Sequence, residues 1–232
     1  RDDLAPEHRQ SGVTVQPDGK IVLAGTVSNA PPPPPLPPLG LSYDSPDLLA
    51  VRMAANGALD ESFGSGGFVQ IPSDLGNSDS DHATAVAPAH NGTLVLGGYA
   101  ATVVGGFDSV IVRLTSAGAP DPSFDDDGIQ IVDVGDGQAD QVYGVAVQPD
   151  GKVVAAGWDS SGLGVFRLDT DGSLDPTFGE GGIVDTPVGD PAGRDEASAV
   201  AIAGDGKIVV AGTSDIEWPY IGKVAVARYL PT

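Results

Sequence analysis

Short apolar runs alternate with glycine turns along the whole chain, and the alternation has a long period. Apolar runs at residues 12–15, 84–87, 143–147 and 198–202 each lead into a turn. The turns read Gln16-Pro17-Asp18-Gly19-Lys20, His90-Asn91-Gly92-Thr93, Gln148-Pro149-Asp150-Gly151-Lys152 and Gly204-Asp205-Gly206-Lys207. A second apolar run follows each turn, at residues 21–24, 94–97, 153–156 and 208–211. An Asp-Gly or Asn-Gly turn between two such runs predicts an antiparallel hairpin, because glycine accepts the positive φ that a tight turn needs. A second glycine stands six residues after each turn glycine: Gly25, Gly98, Gly157 and Gly212. Third strands are predicted at residues 48–53, 109–114, 164–168 and 223–229, and fourth strands in three copies, at 67–71, 128–132 and 182–185.

No stretch carries a helical period, so the chain is read as all-β. A unit of four short antiparallel strands repeated every 55–60 residues or so predicts the blades of a β-propeller, here four blades in one domain. The repeats fall at about 11–73, 82–137, 141–189 and 196–232. A closed array is expected rather than an open solenoid, since no capping ends are legible. The fourth copy stops before its fourth strand. The first copy carries an insertion at residues 28–47, where Pro31 to Pro38 contains seven prolines. It predicts a polyproline II loop, either a stiff spacer or a docking peptide.

Composition agrees with many turns: 33 Gly and 20 Pro in 232 residues. The formal net charge is −21. Of 11 basic residues, seven sit at repeat-equivalent places: Arg52, Arg113, Arg167 and Arg228, with Lys20, Lys152 and Lys207. No basic cluster remains to track phosphates, so nucleic acid and anionic lipid are excluded as partners. The longest apolar runs are about six residues, too short for membrane insertion. There is no cysteine, hence no disulfide or thiol chemistry. The start at Arg1 points to a processed product, and acidic β repeats without cysteine point to a secreted or cell-surface place.

The charges repeat with a fixed spacing. Arg52–Asp60, Arg113–Asp121 and Arg167–Asp175 are each eight residues apart, inviting a salt bridge at every strand-to-loop corner, with Phe63, Phe124 and Phe178 as plugs. The segments around them read Leu59-Asp60-Glu61-Ser62-Phe63-Gly64, Pro120-Asp121-Pro122-Ser123-Phe124 and Leu174-Asp175-Pro176-Thr177-Phe178-Gly179. With the Gln-Pro-Asp-Gly-Lys turn and an Ala-Val-Ala-Arg-Tyr strand, the repeat resembles the bacterial delta-60 repeat. That resemblance covers nearly the whole chain and implies a propeller of unknown function, without assigned catalytic residues. His90-Asn91-Gly92-Thr93 and Asp125, after Phe124, depart from its pattern.

Candidate chemistry lies mainly where the period breaks. Tyr99, Trp218 and Tyr220 are flat aromatics near loops, suited to stacking on sugars. The loops at 27–47, 100–108 and 213–222 occupy equivalent places and should rise on one face. A glycan- or protein-binding scaffold is therefore expected. The alternative is a secreted hydrolase or lyase using carboxylates at the channel mouth. Asp169, Asp171 and Asp175 have the Asp-x-Asp-Gly character of a calcium loop, but the same turn occurs elsewhere without those carboxylates and the EF-hand spacing is absent. No cofactor is required by the sequence; calcium is the cation this loop would take. His8, His82 and His90 show no metal spacing, and Asp81-His82 has no legible nucleophile beside it.

Overall fold

The computed structural model describes residues 12–27, 47–71, 77–102, 106–134, 140–158, 162–188, 195–214 and 222–231. These residues form four antiparallel sheets, each one repeat. The first blade orders β1 (Gly12–Val15), β2 (Ile21–Val27), β3 (Asp47–Met53) and β4 (Phe68–Ile71). The second orders β5 (Asn77–Pro88), β6 (Leu94–Thr102), β7 (Phe107–Leu114) and β8 (Ile129–Val132). The third holds β9 (Gln141–Val147), β10 (Val153–Trp158), β11 (Leu163–Leu168) and β12 (Ile183–Thr186). The fourth holds three described strands, β13 (Glu196–Ile202), β14 (Ile208–Ser214) and β15 (Lys223–Tyr229). The chain is an all-β propeller of antiparallel blades.

The turn glycines do what the pattern requires: Gly19, Gly151 and Gly206 have φ of 83, 92 and 81°. In the second blade a short 3-10 turn, His90–Gly92, takes that place, and Asn91 itself enters the left-handed region at φ 57°. The second recurring glycine has a different cause. The innermost strand bulges beside it in three blades, where the register shifts next to Gly98, Gly157 and Gly212. The bulged carbonyl lands on the glycine Cα. A Cβ there would lie 1.8 Å from the His82 carbonyl oxygen, 1.7 Å from that of Gln141 and 1.9 Å from that of Glu196, far inside contact distance.

Apolar burial is organised between blades. One cluster joins the first two sheets through Val22, Ala24, Leu48 and Ala50 against Leu94, Leu96, Val110 and Val112. A second joins Val95, Ile111 and Phe124 to Val142, Val153 and Phe166. A third joins Val154, Val165 and Phe178 to Ala197, Ile208 and Val210. Each sheet thus has a face for the preceding blade and a face for the following one. Among the described residues no apolar cluster joins the fourth blade to the first. Val13 and Val15 of the first blade and Val224 and Val226 of the fourth are exposed.

Candidate functional site

The strand order gives the propeller two different faces. The Asp-Gly hairpins and the Leu/Pro-Asp-x-x-Phe corners share one, the hairpin face. The last residues of β2, β6 and β14 and the first residues of β3, β7 and β15 share the other, the loop face.

On the hairpin face one arrangement is built three times. Arg52 Nε donates to Asp60 at 2.8 Å, Arg113 to Asp121 at 2.9 Å and Arg167 to Asp175 at 2.6 Å. The same guanidinium reaches the next blade through Nη1, to the carbonyls of Ser116 (2.7 Å), Thr170 (2.6 Å) and Pro231 (2.9 Å). Each guanidinium also lies over a buried phenylalanine, 4.4 Å from Phe63 and 4.7 Å from Phe124 and Phe178. A planar fork with several fixed donors is needed for this, and lysine does not supply one. The expected corner salt bridge is therefore present and is also a rivet between blades.

The aspartates are tuned accordingly. The Ser62 hydroxyl, then Lys20 and Arg52, outweigh burial and hold the Asp60 carboxyl well below the usual range. Burial opposes ionisation of Asp175, yet hydrogen bonds from Lys152, Thr177 and Arg167 prevail and depress it strongly.

Of the three expected calcium-loop residues, Asp169 and Asp175 share one ammonium and Asp171 faces its own turn. Lys152 Nζ bridges Asp169 (2.6 Å) and Asp175 (2.7 Å). Asp171 instead accepts from the Ser173 backbone N–H and hydroxyl. Lys20 sits on Asp60 in the same manner, at 3.1 Å. The second blade has Thr93 where those lysines stand. There a cavity of about 160 Å³ opens beside Asp121 and Arg113, lined also by His90, Thr93 and Thr170.

The loop face is less regular. Tyr99, within β6, packs against His82 (ring centroids 4.9 Å apart, tilted) and edge-on to Phe107 (5.1 Å). His82 Nδ1 also meets Thr26 of the first blade at 3.2 Å. Tyr99 is half-buried, with its ring in this aromatic row. Trp218, Tyr220, His8 and the proline run lie outside the described residues.

A feature of this face escaped the sequence reading. A buried aspartate recurs on three inner strands, within β5 at Asp81 and just before β9 and β13 at Asp140 and Asp195. Asp140 accepts from the Val134 N–H at 2.8 Å, and Asp195 from the Val188 N–H at 2.7 Å. Each ties down the connection arriving from the previous blade. The signal was present as the recurring Asp81-His82-Ala83, Asp140-Gln141-Val142 and Asp195-Glu196-Ala197.

Asp140 is also grouped with Asp108 and Asp133, with one carboxylate oxygen of each within 4.8 Å of the others. Burial, then the charge of Asp133, pushes the Asp108 carboxyl above its ordinary value. Between the faces, the inner strands of all four blades line an axial groove of about 380 Å³, including Val13, Thr84, Tyr143 and Ser198. Thr84 bridges two blades by donating to the Val142 carbonyl.

The hairpin-face segments are also the ones that comparison identifies. The family described as "Domain of unknown function (DUF5122) beta-propeller" matches residues 16–32, 90–124 and 148–178. In these three segments the chain is similar to the repeats of that β-propeller family. In the second and third blades the match runs from the hairpin turn to the rivet phenylalanine. No curated protein matches the chain. Among solved structures it is similar to virginiamycin B lyase from Staphylococcus aureus, at 13% identity over 97% of this chain and 56% of that one, TM-score 0.46. It is similar also to a mutant of the GH43 protein BlXynB from Bacillus licheniformis, at 13% identity, 97% and 40% coverage and TM-score 0.48. A protein of unknown function from Dyadobacter fermentans gives 11% identity, 94% and 60% coverage and TM-score 0.48. The chain thus spans about half the length of these proteins. Among the described residues no helix is long and apolar enough to cross a membrane.

Proposed function

We propose that this propeller is a binding module that takes a glycan or a protein ligand on its loop face. The observation that carries the reading is the His82–Tyr99–Phe107 row, an aromatic surface at a place where the repeat changes residue type. Aromatic rings offer apolar area and a polar tip at low conformational-entropy cost. Trp218 and Tyr220 are assigned to the same role on their sequence position, in the loop equivalent to the one beside Tyr99. The repeat is read as the delta-60 type, and the place of action as the cell exterior or surface. A glycan and peptide array tests the reading: Tyr99→Ala should lose the hits while its circular dichroism stays that of the parent. Hits that survive Tyr99→Ala would move the site elsewhere.

A second reading, a hydrolase or lyase, is favoured by the Asp108–Asp133–Asp140 group. A carboxyl group whose surroundings raise its pKa is what general-acid catalysis uses. Here Asp108 would hold the proton, with Asp133 and Asp140 beside it. Turnover on a polysaccharide panel that Asp108→Asn abolishes would establish it; turnover indifferent to that change would remove it.

A further inference from the structure

We propose that the cavity beside Asp121 in the second blade is a binding site for a primary alkylammonium group, the chemistry of an alkylamine or of a lysine side chain. It lies on the hairpin face, apart from the aromatic row, and does not depend on that row's role.

The cavity is what remains when two side chains of the repeat are shortened. Lys20 and Lys152 stand directly after the turn glycine in the first and third blades, and Thr93 takes that place in the second. Gln16 and Gln148 stand four residues earlier, with Ala89 as their equivalent. Both glutamines are buried. Ala89 and Thr93 both line the cavity, whose volume is about 160 Å³. At roughly 30 Å³ per water this is the share of about five waters, enough for an ammonium on a butyl stem.

The walls offer the two kinds of surface such a group needs. At the polar end Asp121 keeps the geometry of its equivalents. Its Oδ1 accepts from the Ser123 N–H at 3.1 Å and hydroxyl at 2.8 Å, and its Oδ2 from Arg113 Nε at 2.9 Å. In the first and third blades the matching Oδ2 accepts from an ammonium as well: Lys20 Nζ on Asp60 at 3.1 Å and Lys152 Nζ on Asp175 at 2.7 Å. Among the described residues no ammonium reaches Asp121. Burial opposes ionisation of Asp121, yet hydrogen bonds from Ser123 and the charge of Arg113 prevail and hold it below its ordinary value. It is therefore a carboxylate near neutral pH.

The apolar wall is Val95 of the second blade with Val147 and Val153 of the third. An alkyl stem would lie along it, as lysine stems lie along apolar surface with the charged head elsewhere. A hydrated metal ion has no use for such a wall, and a quaternary ammonium has no N–H for Oδ2. The fold thus places a primary ammonium on this aspartate twice from its own chain, and in the second blade leaves the place to a ligand.

The formal charge of −21 draws cations toward the whole surface, so the test separates the cavity from diffuse attraction. Amide NMR spectra of the full chain are titrated with n-butylammonium chloride. The expected result is saturable shifts centred on Ala89, Thr93, Asp121 and Thr170. Tetramethylammonium, with the charge but no N–H, and n-butanol, with the stem but no charge, should not reproduce them. Thr93→Lys should weaken binding about tenfold or more, because its own ammonium takes the place, while the rest of the spectrum stays that of the parent. Ala89→Gln should weaken it too, by refilling the volume. Asp121→Asn should abolish it, but that change also loosens the corner, so the first two variants decide. Nα-acetyl-lysine methylamide distinguishes the sources. Shifts at the same residues support a lysine side chain as ligand, and shifts with butylammonium alone support a free amine. No saturable shift in the cavity, equal shifts with tetramethylammonium, or binding indifferent to Thr93→Lys overturns the proposal.

Discussion

The hairpin face and the loop face are built from the same repeat and treat it oppositely. On the hairpin face three blades reproduce an arginine, an aspartate, a hydroxyl residue and a phenylalanine within a few tenths of an ångström. On the loop face the matching positions hold Thr26, Tyr99, Trp158 and Thr213, and across the bulge His82, Gln141 and Glu196. Where every blade needs the same junction, the chemistry repeats. Where the blades share no common junction, the chemistry diverges.

The comparison can be broken most strongly at a rivet. Phe124→Ala removes a fully buried ring between two blades and the surface under the Arg113 guanidinium, and should cost about 3–5 kcal/mol in urea unfolding. A loss under about 1 kcal/mol would show that the corner is dispensable.

Acid should act on the same face. Asp60, Asp121 and Asp175 are all held below their ordinary 3.8, so the folded chain binds fewer protons there than the unfolded chain. Their contribution is complete above that value and drains as pH falls toward the folded pKa values. Asp108 and Asp125 are raised and run the other way, giving up a smaller contribution as pH rises above 3.8. Urea midpoints between pH 2 and 7 should therefore fall steeply below about pH 4. A midpoint indifferent to acid would contradict the assigned pairing.

Two changes in the second blade sharpen the comparison, because that blade departs from the pattern. Asp125 stands where Gly64 and Gly179 stand, at φ 47°, among Asp126, Asp127 and Asp171, which with burial raise its pKa. Asp125→Gly should stabilise by about 1 kcal/mol, by removing left-handed strain and like charge. Thr93→Lys should fill the cavity beside Asp121 as Lys20 and Lys152 do in their blades. Its gain should be at most about 1 kcal/mol, since the pair is near solvent. Thermal melts of both variants check these signs.

The hairpins were legible because Asp-Gly and Asn-Gly turns between apolar runs fix a register locally. The rivets were legible because an eight-residue separation recurs with opposite charges, though their reach into the next blade was not. The second glycine was visible but unexplained, since its cause is a carbonyl from the neighbouring strand. Of the loop-face site, Tyr99 could be singled out. Asp108, Asp133 and Asp140 could not, because only the pairing of β7 with β8 and the turn back into β9 bring them together.

The division between the faces is tested most directly by urea unfolding of Arg167→Ala beside Asp108→Asn. Arg167 is buried, and its removal strips Asp175 of its guanidinium and the Pro231 carbonyl of its donor. The account predicts a loss of about 3–5 kcal/mol for Arg167→Ala, and for Asp108→Asn no loss or a small gain, as a raised carboxylate is neutralised. Equal losses for the two, or an Arg167→Ala protein as stable as the parent, would contradict it.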